Sequence, residues 1–372
     1  VSSSAAGNIV LVGATARAAA QSARRSGLRV AAIDLFGDRD LREACDRWSP
    51  LRSDRSLAEQ LAGASVDAVV PLGGLESRLL ELDALRKTHR LFGATAQQIR
   101  QLNDPAWLDR AAEVADLARP PRCTHKPSPT SGWLFKRAFS TGGLGVFPAS
   151  QMPAVFDSDD WFERQILGRS FGVNFLASRD GVDLIGVAAS LRSRQRPKPF
   201  QYEGSIGLPM LPDSLQQRVQ RLAEYIVQET QLRGLFGIDV IVDPAKRIWL
   251  LELNPRWTAS MELFDRGSTS LLQRHIAACK EEEVAAIEKS KTLIGKRVLY
   301  TDHAIRFAYQ PLRDALPDAI EIADIPADSS EILAGAPICT LIASGPSPRE
   351  IANRLAVARQ ISQLILEPLG SN

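Results

Sequence analysis

The stretch WLLELNPRW, Trp249–Trp257, decides the fold. It has the apolar weight of a buried strand, yet it sets Glu252, Asn254 and Arg256 at every second position. Side chains of a strand alternate between faces, so these three point one way while Leu251 and Leu253 point to the core. Pro255 lacks a backbone donor, which places the end of the strand at a sheet edge or beside a loop. Just upstream, FGIDVIV carries Asp239 among apolar neighbours, and Asp243-Pro-Ala-Lys246 is a turn that folds the two segments into an antiparallel pair. Asp239, Glu252 and the amide oxygen of Asn254 then converge, a hard-oxygen donor set of the kind magnesium accepts. Arg256, always charged, suits a phosphoryl group or a carboxylate. The plainer alternative is an ion pair between Glu252 and Arg256, with Asp239 an ordinary surface acid.

A second constellation is FKRAFSTGGLGV, Phe135–Val146. Lys136 sits on an apolar strand, followed by a loop with Ser140, Thr141, Gly142, Gly143 and Gly145. Glycines let backbone N–H groups approach phosphate oxygens, and a neighbouring lysine adds mobile positive charge. The lysine precedes the glycines and no GK[ST] follows, so this is not a Walker loop.

Around these motifs the chain falls into blocks. Ile9 to Val12, a helical stretch from Arg17 closed by Gly27, and Val30 to Ile33 ending at Asp34 form a β-α-β unit, with a third strand at Asp67–Gly74. The turn Gly13-Ala-Thr-Ala-Arg17 is not GxGxxG, which argues against nicotinamide binding. Leu211 to Leu232 has helical spacing, with Val219, Leu222, Ile226 and Val227 on one face. SPREI near the end pairs Ser347 with Glu350 as a capping box ahead of an apolar stripe, Ile351, Leu355, Ala358 and Ile361.

Composition excludes several classes. Among 372 residues, 45 basic and 43 acidic side chains nearly cancel, which gives nucleic acid and membrane surfaces no support. No apolar run approaches the roughly 20 residues that span a bilayer. The opening VSSSAAGNIVLVG has no basic leader or long apolar core, and Cys45, Cys123, Cys279 and Cys339 form no CxxC pair. A cytoplasmic protein with reduced thiols is the expectation. His89, His125, His275 and His303 share no motif and read as structural or surface residues, and Glu281–Glu283 as a solvated helix face.

The order of lysine strand, glycine-rich loop and D…ELNPR resembles the ATP-grasp superfamily of carboxylate-amine ligases. GAPICTLIASGPSPREI near the end is similar to its biotin-carboxylase-like branch. That resemblance implies an α/β plus α+β fold: a Rossmann-like pre-ATP-grasp domain at 1–95, an ATP-grasp domain at 96–290 with a lid at about 120–165, and a small β-rich C-terminal domain at 291–372. It implies that Lys136 and Arg256 are catalytic, with Lys136 on the nucleotide phosphates. Ser140, Thr141, Gly142, Gly143 and Gly145 would form the lid loop. In FERQILG, the backbone of about Gln165, Ile166 and Leu167 would meet the adenine edge, and Glu163 would help bind the nucleotide. Asp239, Glu252 and Asn254 would hold Mg²⁺ (or Mn²⁺), while Tyr202, Glu203, Gly204 and Arg256 would face substrate.

The chain departs from the pattern at Pro105, where many members carry a phosphate-binding lysine, at Asp239 in place of glutamate, and at ERQ in place of QEY. The implied activity is activation of a carboxylate by ATP as an acylphosphate, captured by an amine or other nucleophile. Alternatives are a carboxylase using bicarbonate or formate, and a nucleotide-binding protein without turnover. The implied partners are ATP, a small carboxylic acid and an amine, with a homodimer allowed. Some relatives of this look serve pterin- or furan-type coenzyme biosynthesis.

Overall fold

The computed structural model describes residues 8–63, 65–191, 199–209, 212–288 and 292–366. The first block is a five-stranded parallel sheet of β1 (Ile9–Val12), β2 (Val30–Asp34), β3 (Arg47–Pro50), β4 (Ala68–Pro71) and β5 (Arg90–Leu91), in the order β3-β2-β1-β4-β5. Its apolar runs are buried because helices cover the sheet; the helix Arg17–Arg25 lays Ala19, Ala20 and Ala23 against it. Gly27, at φ +68°, ends that helix in the left-handed conformation its missing Cβ permits. β3 and β5 carry no sequence signal of their own: β3, RWSP, is a largely exposed edge strand.

A small antiparallel sheet follows, made of β6 (Arg122–Cys123), β7 (Trp133–Lys136), β8 (Val146–Pro148) and β9 (Trp161–Arg164), ordered β6-β9-β7-β8. Phe135 and Phe162 form its own core, edge to face at 5.5 Å between ring centroids.

The central sheet is antiparallel and contains β10 (Arg169–Ser178), β11 (Gly181–Ser190), β12 (Gly204–Leu208), β13 (Gly234–Val242), β14 (Ile248–Asn254) and β15 (Leu293–Tyr300). A two-stranded ribbon of β16 (Ile305–Arg306) and β18 (Glu331–Ile332) interrupts the last block, whose β17 (Ile320–Ala323) and β19 (Pro337–Gly345) rejoin the large sheet. The order is β14-β13-β10-β11-β12-β15-β19-β17, so one sheet runs from the ELNPR strand into the C-terminal block.

One face of this sheet is core. Val173, Phe175, Phe236, Ile238, Leu250 and Leu253 pack there against Val219, Leu222 and Ile226 of the helix Asp213–Thr230. Each of these aliphatic side chains contributes roughly 1.5–3 kcal/mol by leaving water. The other face is small and polar at Gly172, Asn174, Gly237, Asp239, Glu252 and Asn254, and apolar at Leu176 and Leu235, which pack with the first block.

Strict alternation along β14 fails at one point. Asp239 is in register with Glu252 but Val240 with Leu250, so Leu251 is an extra residue, a β-bulge. Leu250 rather than Leu251 therefore takes the core position, and Leu251 is only half-buried. β14 is the edge strand, as Pro255 requires. Ala118 bonds to it on its open side, and the Arg119 guanidinium takes the Leu250 and Leu251 carbonyls at 2.8 and 2.9 Å.

Two other expectations change in detail. Ser347 caps the helix Pro348–Ile365 by accepting from the Glu350 N–H at 3.2 Å, but Glu350 pairs with Arg354 one turn on instead of closing the box. Glu281–Glu283 follow the helix Leu271–Cys279 rather than forming its face. Among the described residues no helix is long and apolar enough to cross a membrane.

Candidate active site

The bulge does more than correct a register. Because Leu251 is looped out, Leu250 and Leu253 both reach the core while Glu252 and Asn254 emerge on the opposite face, beside Asp239. The Asn254 amide donates to Asp239 Oδ2 and to Glu252 Oε1, both at 3.3 Å. Two carboxylates and an amide thus share one patch of sheet, and a divalent cation would take the amide oxygen by turning that side chain over. Among the described residues no cluster of three His, Cys, Asp or Glu suits a metal; the third donor here is the amide. The donor set and the flat floor around it fit magnesium better than a softer ion. Gly172, opposite Asp239 on β10, leaves that floor open: a Cβ there would stand 3.3 Å from Asp239 Oδ1. Beside it, Asn174 Oδ1 accepts from the hydroxyls of Thr258 (2.7 Å) and Ser260 (3.1 Å), which ties the segment after ELNPR across the sheet.

Arg256 does not pair with Glu252. Its Nε donates to Glu76 Oε1 at 2.6 Å, and the second Glu76 oxygen accepts the Gly74 N–H at 2.8 Å. Gly73 makes room, since a Cβ there would meet the guanidinium at 2.9 Å. Glu76 lies just past the carboxyl end of β4, the end at which open parallel sheets bind ligands. Sequence reading missed it, and the only available signal was the glycine pair at the end of the third strand.

Lys136 on β7 reaches across the small sheet to Glu163 on β9, Nζ to Oε1 2.5 Å, and Glu163 is buried. In the following hinge, the Gln165 N–H donates to the Gly132 carbonyl at 2.9 Å, while Leu167 is exposed and Ile166 partly covered. The glycine loop turns through Gly142 (φ +62°) and Gly143 (φ +73°) and rests on the chain before β12. The Tyr202 N–H donates to the Gly142 carbonyl at 2.9 Å, and a Cβ on Gly143 would overlap the Phe200 carbonyl. Ser140 Oγ donates to the Arg137 carbonyl at 3.1 Å, and the Thr141 carbonyl accepts the Leu144 N–H, so the loop is internally braced; Gly145 clears the Ser140 side chain.

Tyr202, Glu203 and Gly204 lean on the C-terminal block. The Tyr202 hydroxyl meets Ser205 Oγ at 2.7 Å, and burial pushes its phenol above the ordinary value. Glu203 is buried against Arg297 at 3.3 Å, and Gly204, at φ +134°, passes close under the β15 backbone. Residues 192–198, which precede them in the chain, lie outside the described residues.

A buried ionic junction, also unforeseen, joins the three blocks. Arg17 of the GATAR turn binds Asp324 (2.9 and 3.1 Å) and Glu262, and Lys296 Nζ donates to Glu262 at 2.8 Å. Burial alone would raise the Glu262 carboxyl, but Arg17 and Lys296 outweigh it and hold it far below the usual range. Asp40 accepts the backbone N–H groups of Asp324 and Ile325, both at 3.0 Å.

His275 and Cys279 offer no nucleophile-base pair. His275 Nδ1 accepts the Leu235 N–H at 2.9 Å, so Nε2 carries the proton and donates to the Phe92 carbonyl at 3.0 Å. Burial lowers His275 to about 4 and pushes the Cys279 thiol up to about 12. The four cysteines are free.

Residues 110–260 match the family model described as the ATP-grasp domain. No curated protein matches the chain. Over nearly its whole length it superposes on carboxyaminoimidazole ribonucleotide synthase from Aspergillus clavatus complexed with ATP (TM-score 0.75, 14% identity, covering 97% of this chain and 99% of that one). It does so equally on N5-carboxyaminoimidazole ribonucleotide synthetase from Thermotoga maritima (TM-score 0.69, 12% identity, 97% and 99%). Biotin carboxylase from Campylobacter jejuni gives a TM-score of 0.72 at 14% identity, covering 96% and 90%. The middle of the chain is an ATP-grasp domain. The whole has the fold of the biotin-carboxylase-like branch, a parallel N-terminal sheet set before antiparallel grasp sheets.

Proposed function

We propose that the protein is an ATP-dependent ligase that activates a carboxylate by phosphoryl transfer and joins it to an amine or another nucleophile. The observation that carries this reading is the convergence of Asp239, Glu252 and Asn254 on one face of the sheet, with Arg256 at the domain border beside them. Those three side chains would hold magnesium or manganese, which supplies charge neutralisation at the ATP phosphates when bound. Arg256 holds the carboxylate end of the acid and steadies charge developing on the transferring group. Its partner Glu76 keeps the guanidinium aimed at the cleft between blocks. Lys136, parked on Glu163 here, reaches the phosphates by exchanging that carboxylate for them. The glycine loop covers the nucleotide and keeps water from the acylphosphate, and its contact with Tyr202 couples closure to the chain bordering the acid site. Ile166 and Leu167 present the hinge backbone to the base.

We keep 1–95, 96–290 and 291–372 as the functional division. The last unit shares the large sheet but has its own core of Ile305, Phe307, Leu312, Leu341, Ile351 and Leu355. ADP and phosphate release across a panel of carboxylates, with and without amines, tests the reading. Acid-stimulated turnover that forms an amide supports it. A strict bicarbonate requirement replaces it with the carboxylase alternative, and nucleotide binding without turnover rejects both.

A further inference from the structure

The ionic junction has more negative than positive charge. Among the described residues, Asp34, Asp40, Glu262 and Asp324 face two cations within it, Arg17 and Lys296. Asp34 is satisfied by neutral donors, the N–H groups of Ala16, Phe36 and Gly37 and the Trp48 indole. A fifth carboxyl, Asp38, lies in the same loop. It is 7% exposed, it makes no cap hydrogen bond to the helix it precedes, and among the described residues nothing donates to it. Its oxygens are not among the fully enclosed unpaired atoms, so this mostly buried acid keeps an edge open to a cation from solvent.

The loop that carries it has a further oddity. Leu35 and Phe36, between Asp34 and Asp38, are 54% and 51% exposed. This is not looseness, because the Asp34 carboxylate fastens the loop through the Phe36 and Gly37 amides at 3.2 and 2.9 Å. The loop sits at the carboxyl end of β2. There the Leu35 N–H bonds to Ala14 and the Ala14 N–H to Gly73, the residue against which Arg256 lies. Two backbone hydrogen bonds thus separate it from the proposed catalytic arginine.

We propose that Asp38 seats the ammonium group of an organic amine whose apolar body packs on Leu35 and Phe36. An organic cation is favoured over a metal ion, since among the described residues no carboxylate trio has a metal's spacing and the same loop exposes Leu35 and Phe36. The amine's place as the nucleophile rests on the ligase reading above; the binding site itself does not. The electrostatics agree. Burial, then Asp324, Asp40 and Asp34, push the free Asp38 carboxyl up to about 8, with Arg17 opposing. Glu262 and Lys296 lie beyond Arg17, and Arg39, next in sequence, is turned over the Tyr309 ring. Seating a cation therefore displaces a proton from Asp38 at neutral pH.

Calorimetry with phenethylammonium chloride, on the full chain without ATP, tests this, with 2-phenylethanol as the neutral match. The ammonium is expected to bind, and the alcohol at least tenfold more weakly. In buffers of different ionisation heat at pH 7, binding should release most of one proton. Asp38→Asn should weaken the ammonium tenfold or more and abolish proton release, with a melting temperature no lower than wild type, because an unpaired acid has been removed. Phe36→Ala, on an exposed side chain, should weaken it several-fold. No ammonium binding, equal binding of the alcohol, no proton release by the wild type, or unchanged affinity in Asp38→Asn overturns the proposal. Measured ADP formation keeps the two readings apart. Turnover without an ammonium site removes only Asp38's role, whereas an ammonium site in a protein that never forms ADP removes the ligase and leaves the site.

Discussion

Asp239 stands opposite Glu252 across the β13–β14 pair, one step from the looped-out Leu251. Deleting Leu251 would close the bulge and leave Leu250 opposite Val240 and Glu252 opposite Asp239, a plain ladder with both faces kept. The deletion variant is therefore expected to fold, read by circular dichroism, and Leu251→Ala should melt within a few degrees of wild type. Loss of folded protein on deletion would show that the edge strand needs the extra residue itself.

Glu252 is exposed and, among the described residues, its carboxylate accepts the Asn254 amide alone, so Glu252→Gln should leave the fold intact. Turnover dependent on divalent cations should fall about a hundredfold or more. Titrating magnesium and manganese against ADP formation reads this directly, and full activity at ordinary magnesium would reject the metal assignment.

Glu76→Ala should lower kcat/KM for the acid about tenfold, because Arg256 loses a charge-assisted hydrogen bond and with it its aim. KM for ATP should stay near wild type. Glu76→Gln keeps an acceptor and should fall between the two; steady-state kinetics on both variants would show an idle pair if neither moved.

Gly143→Ala places a methyl against the Phe200 carbonyl at a φ of +73°. The side chain cannot be accommodated without shifting the loop off residues 200–202. Turnover should drop roughly tenfold while the melting temperature barely moves, since the loop belongs to no core. Hydrogen exchange over residues 140–146 should rise in the same variant.

His275 supplies a pH dependence of stability. Its folded pKa of about 4 lies below the ordinary 6.5 of a solvated imidazole, so the unfolded chain binds the proton more tightly. The contribution is fully present above about 6.5 and is lost as pH falls toward 4; such a shift is worth about 3 kcal/mol at most. Urea unfolding at several pH values should show stability falling over that window, with a shallower slope in His275→Gln. An equal slope in both proteins would place the acid sensitivity elsewhere.

The sequence by itself determined the local elements and the chemistry of the donors. An unbroken apolar run places β1, which is buried on both faces, while turn residues and apolar-polar patterning place β13 and β14, and helical spacing identifies Asp213–Thr230. The nearness of Asp239 to Glu252 was legible because a hairpin is a local object. Contacts between blocks were not. That Arg256 would choose Glu76 over Glu252, that Arg17 would bind Glu262 and Asp324, and that Asp38 would find no donor among the described residues depend on how the three blocks meet. A salt bridge leaves no periodic trace in either segment that forms it. Only the tertiary structure decided which charges face one another, since in a buried junction distance and desolvation, not residue type, fix which pairs form.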